Sequence, residues 1–349
     1  MKNYNFAELI NKSLYDFMKT NEKSVSMGLG HNDPKRIFNT TKNLLENFGE
    51  SRCIEPPTSE NALTGICFGM ALKGFSVCLT HQRFDFALLS FDQIINTISK
   101  WKFMFSKNTQ ISILIRLIVG RGWGQGPTHS QSYHSFLSSI PGLDVYYPFT
   151  PYEAYQTVQK GLSSGNPMVM IEHRWLHGSN QKISDFRTKD NWENTRILSE
   201  GGDLTIFTYG YMCAEALEAK RFLAKYDISL EIITFVRLQN KATDILIKSL
   251  KKTNHFLIIE PFMFEGSLSS SIASQCMKKL IENQIILKSF DVLSLPFASE
   301  STSFFKTKDR YINSAKIINK VGKIFKIDTK KIEPIGLHDI PGEWFRGPF

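Results

Sequence analysis

An α/β fold with mostly parallel sheets, in two successive units, is what this sequence predicts, on three observations. Short β-rich runs alternate with helical stretches along the chain, the pattern of a parallel sheet covered by helices. The alternation breaks once, across the polar and pattern-poor segment 173–202, and then restarts. At 349 residues, 42% apolar and 21% charged, the chain has material for two cores. Units spanning 1–195, with a trailing linker, and 196–349 are therefore expected.

The elements follow in order. Residues 3–19 place Phe6, Leu9, Ile10, Leu14, Phe17 and Met18 on one helical face. A small-residue helix over 61–73 ends at Gly74, and an apolar strand follows at Phe75–Leu79. Phe86–Phe105 reads as one long helix, Ile111–Val119 as a buried strand and Asp144–Tyr147 as a short one. Thr150 before Pro151 is an N-cap with proline at the first helical position, opening a helix to about Ser163. Met168–Ile171 closes the first set. After the break come strands at Leu204–Tyr209, Leu230–Phe235, Phe256–Glu260 and Ile286–Leu293. Helices at Ala214–Ala224, Asp244–Lys251 and Ser269–Leu280 lie between them.

Composition excludes several classes. The best apolar run, Ile111–Gly120, is too short for a membrane span and contains Arg116. Glu8 and Asp16 interrupt the first twenty residues, so no secretory leader is expected, and the segment is not an Arg-rich transit peptide. Five widely spaced cysteines without C-x-x-C fit free thiols in a reducing compartment, and a cytoplasmic location is expected. The net charge of +9 is concentrated in 305–331, where nine basic residues face two aspartates. Ile312, Ala315, Ile318 and Val321 recur there at three-residue steps, as on an amphipathic surface helix. A solvated helix face is favoured over a nucleic-acid surface, because aromatics elsewhere are not interleaved with Lys and Arg.

Four motifs could carry chemistry. The loop Gly120–Gly126 follows a buried strand, but its spacing is neither a dinucleotide fingerprint nor a P-loop. A flexible loop without ligand remains an open reading. His129 follows that loop, well placed to meet a ligand above a strand end, with a surface role equally open. Its spacing of five from His134 does not suit a two-histidine metal site. Glu60 enters a helix behind Thr58 and Ser59, where a first-turn acid helping the dipole is the plain alternative. Gln82-Arg-Phe-Asp-Phe86, with Asp92-Gln93 downstream, offers aromatics that serve either a core or a cofactor.

Taken in order, Thr58-Ser59-Glu60, Gln82-x-Phe84-Asp85-Phe86, Asp92-Gln93-Ile94-x-Asn96, His129-Ser130-Gln131, Pro141-Gly142-Leu143 and Asn166-Pro167 resemble one family. It is the β subunit of thiamine-diphosphate-dependent 2-oxoacid dehydrogenases (pyruvate dehydrogenase E1 type), related to the C-terminal half of transketolases. The resemblance is clearest over 34–175 and continues more weakly to about residue 295. It implies a pyrimidine-binding domain followed by a transketolase C-terminal domain. It also implies that Glu60 faces N1′ of the aminopyrimidine, that Phe86 packs on that ring, and that Gln82 lies near it. His129 matches the histidine that contacts substrate and assists proton or acyl transfer. In the family, Mg²⁺ and the diphosphate are held on a Gly-Asp-Gly motif, whereas this chain reads Gly202-Asp203-Leu204. The resemblance therefore implies an α-type partner supplying Mg²⁺, thiamine diphosphate shared between chains, and an α₂β₂ assembly.

The departures point to a specialised relative. Met27-Gly-Leu-Gly-His31 lacks the acid usual after Met-Gly, and Ser163-Ser164-Gly165 lacks the one associated with a structural potassium ion. Arg83 stands beside the expected cofactor, and Arg121 with Trp123 enlarges the glycine-rich loop. Arg83 and Arg121 are thus candidate substrate-binding residues, since a guanidinium suits carboxylate or phosphate. The tail 341–349 has no counterpart in the pattern. Transfer of a two-carbon or acyl unit from a 2-oxoacid or ketose donor in a biosynthetic pathway is expected. A conventional 2-oxoacid or acetoin dehydrogenase β subunit serving lipoamide is the alternative, and a non-catalytic assembly subunit the third.

Overall fold

The computed structural model describes residues 4–120, 124–181, 191–307 and 310–328. It comprises two units: 1–121 with 128–192, and 193–349 with the loop segment 122–127. The tail 341–349 lies outside the described residues.

The first unit opens with strand β1 (Tyr4–Asn5) and helix α1 (Phe6–Thr20). Asn5 Oδ1 accepts the Glu8 N–H while the Glu8 carboxylate accepts the Asn5 N–H, each at 2.8 Å, which satisfies donors a helix start leaves open. The face carrying Phe6, Leu9, Ile10 and Leu14 is buried, and α1 packs on α7 (Pro151–Ser163), where Ser13 Oγ donates to the Tyr155 carbonyl at 2.8 Å. Helix α7 begins at the proline, with a second reciprocal cap between Thr150 and Glu153. Between these helices lie β2 (Ser24–Gly28), α2 (Leu44–Phe48), β3 (Cys53–Ile54), α3 (Glu60–Leu72) and β4 (Ser76–His81). Then come α4 (Phe84–Ala87), α5 (Trp101–Met104), β5 (Ile113–Val119), α6 (His134–Ser138) and β6 (Asp144–Tyr146). Strands β7 (Met168–His173) and β8 (Asn180–Gln181) follow α7.

Six strands form one parallel sheet in the order β3-β2-β4-β5-β7-β6. Every residue of β4, β5 and β7 is buried, as strands covered by helices on both faces require. Strand β1 pairs antiparallel with β8.

In the second unit β9 (Arg196–Ser199) precedes β10 (Leu204–Phe207), α8 (Met212–Leu223), β11 (Leu230–Thr234) and α9 (Thr243–Thr253). Strand β12 (His255–Met263), α10 (Leu268–Glu282), β13 (Ser289–Leu295), α11 (Phe304–Thr307) and α12 (Ser314–Phe325) complete it. The sheet order is β13-β12-β10-β11-β9, parallel except for β9. Helix α12 buries Ile317, Ile318 and Val321, and its Lys320 pairs with Asp291 at 2.9 Å.

Two sequence expectations are corrected. Phe86–Phe105 is not one regular helix: α4 runs into a 3-10 turn at Leu88–Ser90, a π-helical turn at Gln93–Ile98, and then α5. The β-branched run Ile94, Ile95, Thr97, Ile98 crowds a regular helix, and Ser90 and Ser99 donate back to the Ala87 and Ile95 carbonyls at 2.9 and 2.7 Å. The segment 173–202 is also more than a linker, since it supplies β8 and the edge strand β9. All five cysteines are buried, and none forms a disulfide. Among the described residues, no helix is long and apolar enough to cross a membrane.

Candidate functional site

The sheet order of the first unit reverses between β2 and β4: the chain leaves β2 for β3 on one side, and β4 for β5 on the other. Ligands of open α/β sheets lie outside the carboxyl ends of strands at such a reversal. A small cleft, partly open to solvent, occupies that place. Leu29 beyond β2, His81 and Gln82 at the end of β4, Glu60 at the start of α3 and Phe86 on α4 line it.

The wall between β2 and β4 depends on a glycine. Gln82 Nε2 donates to the Leu29 carbonyl at 2.6 Å, and Gly30, at φ +92°, lies so close that a Cβ there would be 1.9 Å from that nitrogen. The Glu55 carboxylate holds the same turn, accepting the N–H groups of Gly30 at 2.8 Å and Asn32 at 2.9 Å. Sequence reasoning missed this role of Glu55. The exposed signal was the run Leu29–Asn32, a tight turn whose amides need an acceptor.

Glu60 is the first residue of α3 and 8% exposed. No hydrogen bond from the Ser59 side chain caps this helix, so the Glu60 carboxylate stands at the positive end of the helix dipole. Among the described residues, no hydrogen bond or ion pair reaches that carboxylate, and it lines the cleft. The Glu60 carboxylate is thus an acceptor open to the cleft.

Phe86 joins the cleft to His129, whose ring meets it edge-on with centroids 5.5 Å apart and planes at 88°. His129 lies in the loop before α6, not on a helix, with Nδ1 3.0 Å from Thr128 Oγ1. Asp85 fixes this loop: its Oδ1 accepts the Gln131 backbone N–H at 3.3 Å and side-chain amide at 2.8 Å. Burial raises the Asp85 carboxyl above its usual range, and the two bonds from Gln131 oppose that rise. The structure thus brings Glu60, Gln82, Phe86 and His129 to one place. His134 instead is fully buried, with Nδ1 2.8 Å from Ser132 Oγ. Burial pushes the His81 imidazole down to about 4, and its Nε2 finds no partner among the described residues.

Arg83 is also buried, and its Nη1 donates to the Gln82 carbonyl at 3.1 Å. Arg121 and Trp123 lie outside the described residues. Beneath the cleft, Arg116 on β5 and Glu172 on β7 form a fully buried, two-point ion pair at 2.8 and 3.3 Å. Arg116 also donates to the hydroxyls of Thr40 at 2.9 Å and Thr80 at 3.3 Å, and Thr80 borders the cleft. In the second unit Asp203 accepts the Ser229 N–H at 2.7 Å, a turn-forming contact. Near the Ser163-Ser164-Gly165 segment, the Lys102 ammonium donates to the Gly165 carbonyl and Asn166 Oδ1 at 2.7 and 2.6 Å. No cluster of three or more His, Cys, Asp or Glu suited to a metal occurs among the described residues.

A parallel α/β unit with a ligand cleft at its strand reversal, followed in the chain by a second α/β unit, is the class that fold and site define. Residues 4–178 match the transketolase pyrimidine-binding domain, and residues 193–302 match the transketolase C-terminal domain. The chain belongs to this family, in the group that includes the β subunits of the pyruvate dehydrogenase E1 component.

Among its relatives is the pyruvate dehydrogenase E1 β subunit of Staurastrum punctulatum, 30% identical over 79% of this chain and 84% of the relative. The mitochondrial subunit of Saccharomyces cerevisiae is 29% identical over 74% and 70%. The β subunit of acetoin:2,6-dichlorophenolindophenol oxidoreductase from Cupriavidus necator is 29% identical over 68% and 70%. A solved split-gene transketolase, described as an inactive β4 tetramer, shares the fold with TM-score 0.71 at 18% identity, over 93% of this chain and 99% of that one.

Proposed function

We propose that this chain is the β-type subunit of a two-chain thiamine-diphosphate enzyme that moves a two-carbon or acyl unit from a 2-oxoacid or ketose donor. The observation that carries the reading is Glu60, a cleft-lining carboxylate without a donor at the start of α3, facing the same space as Phe86 and Gln82. These residues fit an aminopyrimidine: Glu60 offers an acceptor to a ring N–H, and Phe86 an apolar face beside it. Bound thiamine diphosphate supplies a carbon nucleophile able to stabilise carbanion character. The chain's own residues do the rest. Glu60 holds a proton at the pyrimidine edge, Phe86 orients the ring and excludes water, and His129 exchanges a proton with substrate, kept in place by the Asp85–Gln131 contact.

The family and its named β-subunit relatives support an α-type partner, an α₂β₂ assembly and Mg²⁺ held on the partner's side. An apolar patch on the first unit is consistent with docking: Leu89, Phe103 and Phe105 are each 64–66% exposed, and Ile66 58%. The departures at Met27–His31 and at Arg83 support a specialised biosynthetic acceptor, and the free, widely spaced cysteines support a reducing, cytoplasmic setting. The second reading, a dehydrogenase β subunit passing the acyl group to lipoamide, is favoured by the names of the relatives.

Co-purification with the partner and assay of Glu60→Gln tests the catalytic assignment. A loss of about a hundredfold or more in turnover is expected for a positioned acid–base group, and unchanged turnover rejects it. Lipoyl domain against aldose acceptors then separates the two readings.

A further inference from the structure

Strand β4 ends in a histidine that core packing does not explain. Side chains alternate between the two faces of the sheet, so Leu79 and His81 share one face and Cys78 and Thr80 the other. Leu79 pairs in register with Met27 of β2, and Cys67 Sγ of α3 donates to Met27 Sδ at 3.6 Å. His81 therefore stands on the face that α3 covers, the helix opened by Glu60. The Arg116 network lies on the opposite face, where Nη1 donates to Thr80 Oγ1 at 3.3 Å.

His81 is 4% exposed and lines the cleft with Glu60 and Leu63, yet its Nε2 has no partner among the described residues. Val77 and Leu79 precede it on the same face, and a leucine would fill the position without leaving a polar atom unserved. Burial lowers the imidazole to about 4, so it carries no charge near neutral pH. An uncharged imidazole has one N–H and one bare nitrogen. An orphaned acceptor is tolerated more readily than an orphaned N–H, which assigns the bare nitrogen to Nε2. That atom is closed off from bulk water, and a ligand entering the cleft is the remaining source of a donor. The cleft thus offers two acceptors, the Glu60 carboxylate and His81 Nε2, beside the apolar face of Phe86. A flat ring bearing two N–H donors matches those walls.

We infer that His81 accepts a hydrogen bond from an amino group on the heterocycle that Glu60 and Phe86 hold, and so selects for rings carrying that amine. The inference deepens the proposed function, and rests on that reading for the identity of the heterocycle alone. It adds a contact and a selectivity that the motif beginning at Gln82 does not include.

The test is nitrogen NMR of the full-length chain, isotope-labelled at histidine and titrated with 4-amino-2,5-dimethylpyrimidine without metal or partner. The His81 signals are those absent from His81→Leu. Saturable binding is expected, with the bare His81 nitrogen shifting as it accepts a bond. His81→Leu should bind the ring about fivefold or more weakly while unfolding at no lower denaturant concentration, because an orphaned nitrogen is removed. His81→Gln keeps a polar head, should retain part of the affinity, and is the second variant should His81→Leu fold poorly. The ring without its amine, 2,5-dimethylpyrimidine, should bind the unaltered chain and His81→Leu alike. Absence of saturable binding, binding by His81→Leu within about twofold of the unaltered chain, or equal dependence of both rings on His81 overturns the inference. If Glu60→Gln weakens ring binding and His81→Leu does not, the His81 contact fails and the proposed function stands. If Glu60→Gln leaves turnover intact while ring binding still depends on His81, the proposed function fails and the contact stands.

Discussion

Replacing Glu172 by leucine is expected to cost more stability than almost any other single change in the first unit. Both Glu172 and Arg116 are fully buried, and the pair makes two contacts, 2.8 Å from Nη2 and 3.3 Å from Nε. Burial works against charge on Arg116 and Glu172 favours it; without Glu172 that support is lost, but a guanidinium keeps its proton in proteins, so Arg116 stays charged and unpartnered by a carboxylate. An uncompensated charge of this kind costs about 3–5 kcal/mol. Arg116→Met strands the Glu172 carboxylate and costs a similar amount. The double variant removes both charges and leaves the Thr40 and Thr80 hydroxyls short of a donor, about 1 kcal/mol each. It should therefore be more stable than either single variant, the reverse of additive behaviour. Guanidinium unfolding of the full chain, followed by tryptophan fluorescence, reads all four proteins; Trp175, 1% exposed just after β7, reports on this region. A double-variant cost equal to the sum of the singles would refute the reasoning, as would a Glu172→Leu cost below about 1 kcal/mol.

Gly30→Ala is expected to destabilise the chain by about 1–3 kcal/mol and to weaken cofactor binding, because φ +92° and the Gln82 amide both oppose a methyl there. Gly49→Ala, also at positive φ but with open space around it, is the control that isolates the backbone cost. Acid should destabilise the first unit between pH 6.5 and about 4. The folded pKa values of His31 and His81 are both lowered to about 4, chiefly by burial, so the unfolded chain binds more protons over that interval. Stability is then fully present above pH 6.5 and falls as pH drops towards 4, by up to about 3 kcal/mol per histidine. His81→Gln should flatten that slope in pH-dependent denaturation, and an unchanged slope would exclude His81 as a contributor.

The sequence made local features legible. The Thr150–Pro151 start of α7, the buried run of β5 and the entry of Glu60 into α3 rest on residues within a turn of one another. The order of motifs also pointed to Glu60, Gln82, Phe86 and His129; the first three line one cleft and His129 packs against Phe86. What escaped was tertiary. The fit of Gly30 against Gln82 and the grip of Glu55 on the turn join segments far apart in the chain, with no periodic signal. The broken helix after Phe86 was misread because its apolar spacing is helical, whereas its β-branched crowding and serine back-bonds act on backbone geometry.

The pairing of β1 with β8 has a consequence for how the chain is made. Asn5 finds its partner only at Asn180, and α1 finds α7 only after residue 151. At a synthesis rate of about 5–20 residues per second, the amino-terminal segment waits on the order of ten seconds or more after emerging before its partner strand exists. During that interval Phe6, Leu9, Ile10 and Leu14 have no core to enter. Helix α1 thus completes its packing only after almost the whole of the first unit has been made.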